Sequence, residues 1–371
     1  MEILVNWSAE NFFGVERKIF FTHSGSGDTR FHWYALFIIL NLSVIGTAIW
    51  TLIGKRKVNY SKLYYWLTVF VRYYIGIMLI VYGIVKLFKS QFPFPNIIQL
   101  TKPLLQFSPM ELTWAFFGSS TAYNIFIGIA EILGVLLLFR KTATLGTLIA
   151  LATSLNIMAI NYFYDVPVKM VSTILVLLSI YLLAPNIKRL FNFLVLQKNT
   201  ALLTIPKPAI KNKIVKWSLI GLKYLSIITP IAATVYRSWD INKYLIKFVD
   251  TDSELFGYYY IPLSQYENRI SMDIPSQWQQ FVFRNNETLI VRTAEMNSNN
   301  YTIKLDTTAK ELKIIGKSGE KDFVTSYKKL SNGNLELTDL NSENNTKIIL
   351  TKINIDEIPL KTNGFRWVIG E

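Results

Sequence analysis

Seven side chains in this sequence have types and spacing suited to proton exchange or hydrogen bonding in apolar surroundings: Tyr82, Lys86, Tyr123, Glu131, Asn161, Asp165 and Lys169. Each lies inside or at the edge of a long apolar run. Glu131 follows Tyr123 by eight residues, roughly 12 Å along a helix, and a carboxylate at that depth must pair, accept hydrogen bonds or hold a proton. Together the seven are expected to form a polar pocket open to the outer leaflet. Its chemistry would be acid/base or hydrogen-bond handling of an amphipathic small molecule such as a quinone. Arg72 and Asn156 read as polar groups that hold helices together. A plainer reading stands beside the pocket: Glu131 and the asparagines also only pack helices, while Lys86 and Lys169 reach up to lipid headgroups.

Composition removes several alternatives. Cysteine is absent and histidine occurs twice, at His23 and His32. Disulfides, thiolate-ligated metals, thiol relays and Cys nucleophiles are excluded, and a multi-histidine metal or haem site within one chain is not expected. No Gly-x-Ser-x-Gly elbow is present.

Stepping outward, six apolar stretches approach the roughly 20 residues that cross a bilayer's hydrocarbon core. They lie at 33–53, 67–87, 121–139, 143–163, 169–185 and 216–236. Arg72, Gly76, Gly83 and Lys86 share one face of the second, and its glycines allow a neighbouring helix to come close. The chain carries a formal charge of +14, unevenly placed: 23 Lys and Arg against 7 Asp and Glu in 1–239, then 16 against 18 in 240–371. Loops 54–66, 140–142 and 186–215 hold twelve basic residues and no acidic one. By the positive-inside rule these loops face the cytoplasm and both termini lie outside. The basicity is thereby accounted for by membrane topology, and no nucleic-acid partner is expected. Residues 1–32 are expected as an external segment and 33–239 as the helical bundle. An outside N-terminus carrying Arg17, Lys18 and Arg30 must translocate with the first span or follow an upstream helix.

After Arg237 the pattern changes. Seven runs, at 278–284, 288–294, 301–306, 311–316, 323–327, 335–340 and 347–353, carry apolar residues that in several recur at every second position. Turn-forming Asn, Gly and Ser clusters separate them. Residues 240–371 are therefore expected as a mostly antiparallel β meander outside the membrane, closed into a barrel or left as a half-barrel. Leu255-Phe256-Gly257-Tyr258-Tyr259 resembles a lipocalin-like first strand. The fold class is then an α-helical multi-pass membrane bundle followed by a β domain, located in the bacterial inner membrane with the β domain in the periplasm.

Several motifs carry a family resemblance. Arg72-Tyr73-Tyr74-Ile75-Gly76 leading to Tyr82-Gly83 and Lys86 resembles the signature of DoxX-family membrane proteins. Gly25-Ser26-Gly27-Asp28-Thr29, Gln91-Phe92-Pro93, Ser108-Pro109-Met110 with Trp114, and Gly118 with Ser120 and Tyr123 are similar to the long members of Bacteroidetes type. So are Glu131, Leu138-Phe139-Arg140, Asn161 with Tyr164-Asp165-Val166-Pro167-Val168-Lys169, and the tail run Gly364-Phe365-Arg366-Trp367. The family takes its name by similarity to the quinone-reducing side of an archaeal thiosulfate oxidase. The resemblance thus implies a quinone-linked role; the long members also have a helix before the Gly-Ser-Gly-Asp-Thr segment, and this sequence is expected to depart from them by starting late. Three functions follow as expectations: binding a quinone or other lipophile beside a redox partner, proton-coupled transport or lipid handling through Glu131, and an assembly role in which 240–371 docks another envelope protein.

Overall fold

The computed structural model describes the chain except residues 17, 22–26, 55–58, 202, 204, 249–252, 266, 267, 269, 271, 273, 276, 294, 296, 318–320, 341–345 and 363–371. Gly25, Ser26, the loop cations Lys55, Arg56 and Lys57, and the tail run 364–367 lie outside the described residues. Two compact units are resolved: Met1–Gln91 with Thr121–Ser238, and Phe92–Ser120 with Trp239–Glu371.

The first unit is helical. Its elements are α1 (Glu2–Phe13), α2 (Arg30–Ile53), α3 (Ser61–Leu87), α6 (Thr121–Ile132) continued by a 3-10 turn at Leu133–Leu138, α7 (Ala143–Phe163), α8 (Lys169–Leu183), α9 (Ile187–Leu194) and α10 (Lys213–Phe248); α4 (Ile97–Leu100) and α5 (Pro109–Ser119) belong to the second unit. Six of these segments are long and apolar enough to cross a bilayer. The protein is a multi-pass membrane protein. The sequence reading treated 1–32 as a plain segment, yet α1 occupies its start and packs Trp7 on Phe12 and Phe13 against Tyr34 and Phe37 of α2. Its twelve residues reach only about 18 Å.

The packed centre is α3, the α6 segment, α7 and α8. Val71, Ile75, Leu79, Leu137, Ala150 and Leu175 form its buried apolar cluster. Glycines set the closest crossing: a Cβ placed on Gly83 would meet the Gly128 carbonyl oxygen at 2.6 Å, and one on Gly134 would meet Leu79 Cβ at 2.8 Å. The α6 segment has only 18 residues. Tight winding over its last third lengthens it to roughly 30 Å, enough for the hydrocarbon core.

The second unit is a closed eight-stranded antiparallel barrel. Its strands are β1 (Gly257–Tyr260), β2 (Trp278–Phe283), β3 (Thr288–Thr293), β4 (Ser298–Asp306), β5 (Glu311–Ile315), β6 (Phe323–Lys329), β7 (Leu335–Asp339) and β8 (Lys347–Ile353). Each pairs with the next, and β1 closes on β8 through Tyr258 opposite Ile353. Seven of these match the expected runs; β1, built from the lipocalin-like stretch, is the eighth that shuts the barrel. Alternate residues point inward and fill it, with Tyr259, Phe281, Phe283, Val291, Tyr301 and Leu337 in the core cluster.

Strand β3 is buried on both faces. The cover comes from 92–120, sequence that connects two membrane helices. There α4 (Ile97–Leu100) sets Ile97 and Ile98 against Val282 and Ile290 on the barrel's outer surface. Two capping boxes shape the cover: Asn96 with Gln99, and Ser108 with Glu111 at the start of α5 (Pro109–Ser119).

Candidate functional site

Two of the seven expected pocket residues form an ion pair inside the bundle. Lys86 Nζ donates to Glu131 Oε2 at 2.8 Å, with the side chains 8% and 3% exposed. Lys86 lies one residue from the end of α3, and its chain runs inward to the carboxylate instead of outward to headgroups. The neighbouring Lys89 Nζ reaches Thr121 Oγ1, the start of α6, at 3.0 Å. Glu131 is ten residues further along, about 15 Å, so the pair is well below that end of the bundle. Tyr82 offers its ring to Lys86 at 5.7 Å from the centroid.

The glycine crossing positions this pair. Gly83 sits one turn before Lys86, and Gly128 one turn before Glu131. Their backbones touch, which holds α3 and α6 near enough for the two side chains to meet. Asn124, Gly128 and Glu131 make the buried face of α6. Asn124 is fully buried and was missed in the sequence; its offset of seven from Glu131 would have placed it on the same face.

The other expected members sit elsewhere. Tyr123 is 39% exposed and stacks on Phe126 at 6.1 Å, because it lies about 100° around the helix from Asn124. Asn161 is buried at the α7–α8 turn and donates to the Val168 carbonyl at 3.2 Å. Asp165 and Lys169 pair at 2.7 Å with the carboxylate 82% exposed. The expected pocket of seven is thus divided: Tyr82, Lys86 and Glu131 in the bundle, Tyr123 on the exposed side of α6, and Asn161, Asp165 and Lys169 at the α7–α8 turn, with Asn161 buried there. Among the described residues Asn156 joins no helices: it is exposed and makes no side-chain hydrogen bond, being about 200° from the buried Ser154 on α7.

Arg72 is buried, and its Nε and Nη2 donate to the Leu137 carbonyl at 2.9 and 2.7 Å. The 3-10 winding leaves carbonyls at the end of that segment without helical partners, and Arg72 supplies one while Thr142 Oγ1 takes Leu136 at 2.7 Å.

The surface turn joins two motifs far apart in sequence. Asp28 accepts from the Lys169 and Met170 amides at 2.6 and 2.9 Å, and Gly27 N–H donates to the Pro167 carbonyl at 3.1 Å. Val168, the residue before α8, has no capping side chain of its own, so Asp28 serves as that helix's anionic cap.

In the second unit, Arg292 is 1% exposed and donates to the Ile98 carbonyl at 2.9 Å and to that of Thr101. These are the terminal carbonyls of α4, and burial draws the guanidinium below its ordinary range.

Over 115 residues the chain is 37% identical to YwoB, an uncharacterized protein of Bacillus subtilis (strain 168), covering 30% of this chain and 71% of that one. No family model matches the chain, and no solved structure matches it. The likeness to DoxX proteins rests on the motifs alone. At that identity, over more than two thirds of the relative's length, the chain belongs to the same family as YwoB.

Proposed function

We propose that this is an inner-membrane protein of DoxX-like character that binds a quinone or similar lipophile beside Lys86 and Glu131 and assists a membrane electron-transfer system. The carrying observation is the 2.8 Å ion pair buried between two spans. Burying two charges gains little stability over well-packed apolar residues, and ionisable groups inside a bilayer mark pathways and proton relays by default. Reducing a quinone to a quinol takes two electrons and two protons. Lys86 gives one proton and Glu131 relays its replacement and the second proton from water, Tyr82 offers an aromatic face, and both electrons come from a partner protein.

The barrel acts as the extracytoplasmic docking module for that redox or envelope partner. Six spans put the 92–120 connection and the C-terminal barrel on one side of the membrane, and the basic loops favour the cytoplasm as the other. The solid barrel core supports docking over ligand storage.

The test is the protein purified in native lipid and extracted for bound quinone. Wild type is expected to carry quinone, and the double variant Lys86→Met/Glu131→Leu, which removes both charges together, is expected to fold but carry none. Quinone-free wild type that leaves quinol oxidation unaffected would overturn the reading. Proton-coupled uptake into vesicles that is lost in Glu131→Gln would favour transport instead.

A further inference from the structure

The segment after α8 carries an exposed apolar surface beside a charge pattern of its own. Helix α8 has fifteen residues and the 3-10 turn Ala184–Asn186 three more, together about 28 Å, close to the hydrocarbon thickness. Pro185 tightens the winding to 3-10 there and α9 follows; the apolar segment itself runs on from Lys169 to Leu194, but at this length α9 starts where the hydrocarbon core ends. On α9, Ile187, Phe191 and Leu194 recur at offsets of four and seven on one face, and Lys188, Arg189 and Asn192 lie on the other. Among the described residues that apolar face is left half open, with the three 50%, 52% and 63% exposed. Residues 186–215 hold six basic residues, Lys188, Arg189, Lys198, Lys207, Lys211 and Lys213, and no acidic one.

The returning chain is pinned at this end of the bundle. Asn186 Oδ1 accepts from the Leu203 amide at 2.8 Å, and Arg140 Nη2 donates to the Ile205 carbonyl at 2.7 Å. Both ends of the α9 segment are thereby tied to the helical unit, and the basic linker stays near the membrane surface.

We propose that α9 is an interfacial anchor that binds the anionic phospholipids of the leaflet on its side, the cytoplasmic one on the charge reading above. Its apolar face enters the acyl boundary, and the basic residues of the helix and linker meet phosphate headgroups. Charge complementarity selects this occupant: a protein groove would cover the apolar face without needing six cations and no anion around it.

The absence of cysteine makes the test direct, since each introduced cysteine takes a single environment-sensitive dye. Phe191→Cys, Asn192→Cys and, as a span control, Ile45→Cys are labelled in the full-length protein and reconstituted into vesicles of phosphatidylcholine with increasing phosphatidylglycerol. The 191 label is expected to shift to apolar emission as phosphatidylglycerol rises, with 192 remaining water-like and 45 apolar throughout. Replacing Lys188 and Arg189 by Gln is expected to weaken the response by about fivefold per charge, and added inorganic phosphate is expected not to compete. Water-like emission at 191 in every vesicle would overturn the proposal. So would apolar emission at both 191 and 192 without regard to lipid charge, the outcome for a helix that simply continues the span. Competition by free phosphate would overturn the lipid assignment.

Discussion

A charge paired inside a bundle has an asymmetric energetic role. Removing Lys86 alone strands the Glu131 carboxylate among apolar helices, a loss of about 3–5 kcal/mol for buried pairs of this kind. Lys86→Met is therefore expected to lower the thermal unfolding temperature sharply, and Lys86→Met/Glu131→Leu to recover most of it. Failure of the double variant to recover would mean that the pair's surroundings, and not the stranded charge, set the cost. Gly83 obeys a steric rule: a methyl group there meets the Gly128 carbonyl. Gly83→Ala is expected to destabilise by about 1–3 kcal/mol through overpacking, whereas Gly221→Ala, with nothing within 4 Å, is expected to be neutral or slightly stabilising in the same melt. The close approach at Gly83 was readable from the glycines on its face, but the pairing was not. Glu131 and Lys86 could each be singled out as ionisable groups in apolar runs, but their pairing depends on the contact between α3 and α6. Tyr123 was grouped with them by level along the axis, and the rotation of α6 turned it away.

At the scale of elements, two helices and one strand are completed by distant partners. The α8 N-terminus depends on Asp28. Asp28→Ala is expected to cost about 0.5–2 kcal/mol and to speed hydrogen exchange at the Lys169 and Met170 amides, with Asp28→Asn keeping most of the protection. Unchanged exchange in the Ala variant would show that another group caps the helix. Strand β3 depends on the connection 92–120. Arg292→Met removes the donors to Ile98 and Thr101, and each carbonyl left buried costs about 1–3 kcal/mol. The expected readout is faster exchange across 97–101, partly restored in Arg292→Lys. The motifs Gln91-Phe92-Pro93, Ser108-Pro109 and Trp114 could be noticed in the sequence, yet their place could not. Phe92 packs on Trp114 and Phe117 at 5.0 and 4.8 Å in a loop that clusters with the barrel, although it lies between two membrane helices.

At the scale of the molecule, the chain entering the barrel is latched by Glu254. Its carboxylate accepts from Lys310 at 2.7 and 2.9 Å and from the Tyr327 hydroxyl at 2.9 Å. The Lys310 bond, more than any other contact, holds Glu254 below the usual carboxylate range. Burial first, and then the Glu254 acceptor, raise the Tyr327 phenol. A depressed acid stabilises above its unfolded value and loses that contribution as pH falls through the folded one. A raised phenol stabilises below its unfolded value and loses that contribution as pH rises. Barrel protection is therefore expected to be flat near neutrality, falling below about pH 4 and above about pH 10. Glu254→Gln is expected to blunt the acid fall, as followed by strand amide exchange; an unaltered acid limb would place the sensitivity elsewhere.

Local pattern determined the kinds of element. Apolar runs long enough for a bilayer become helices because each satisfies its own backbone hydrogen bonds, and alternating runs become strands because side chains alternate across a sheet. Both signals are contained within a dozen or two neighbouring residues. Tertiary structure alone decided the closure of the barrel by β1, the pairing of Lys86 with Glu131, the capping of α8 by Asp28, the cover of β3 by 92–120 and the outward turn of Asn156. Each depends on which residues distant in sequence share a contact, and that is set by the packing of whole helices and strands, which no local period encodes.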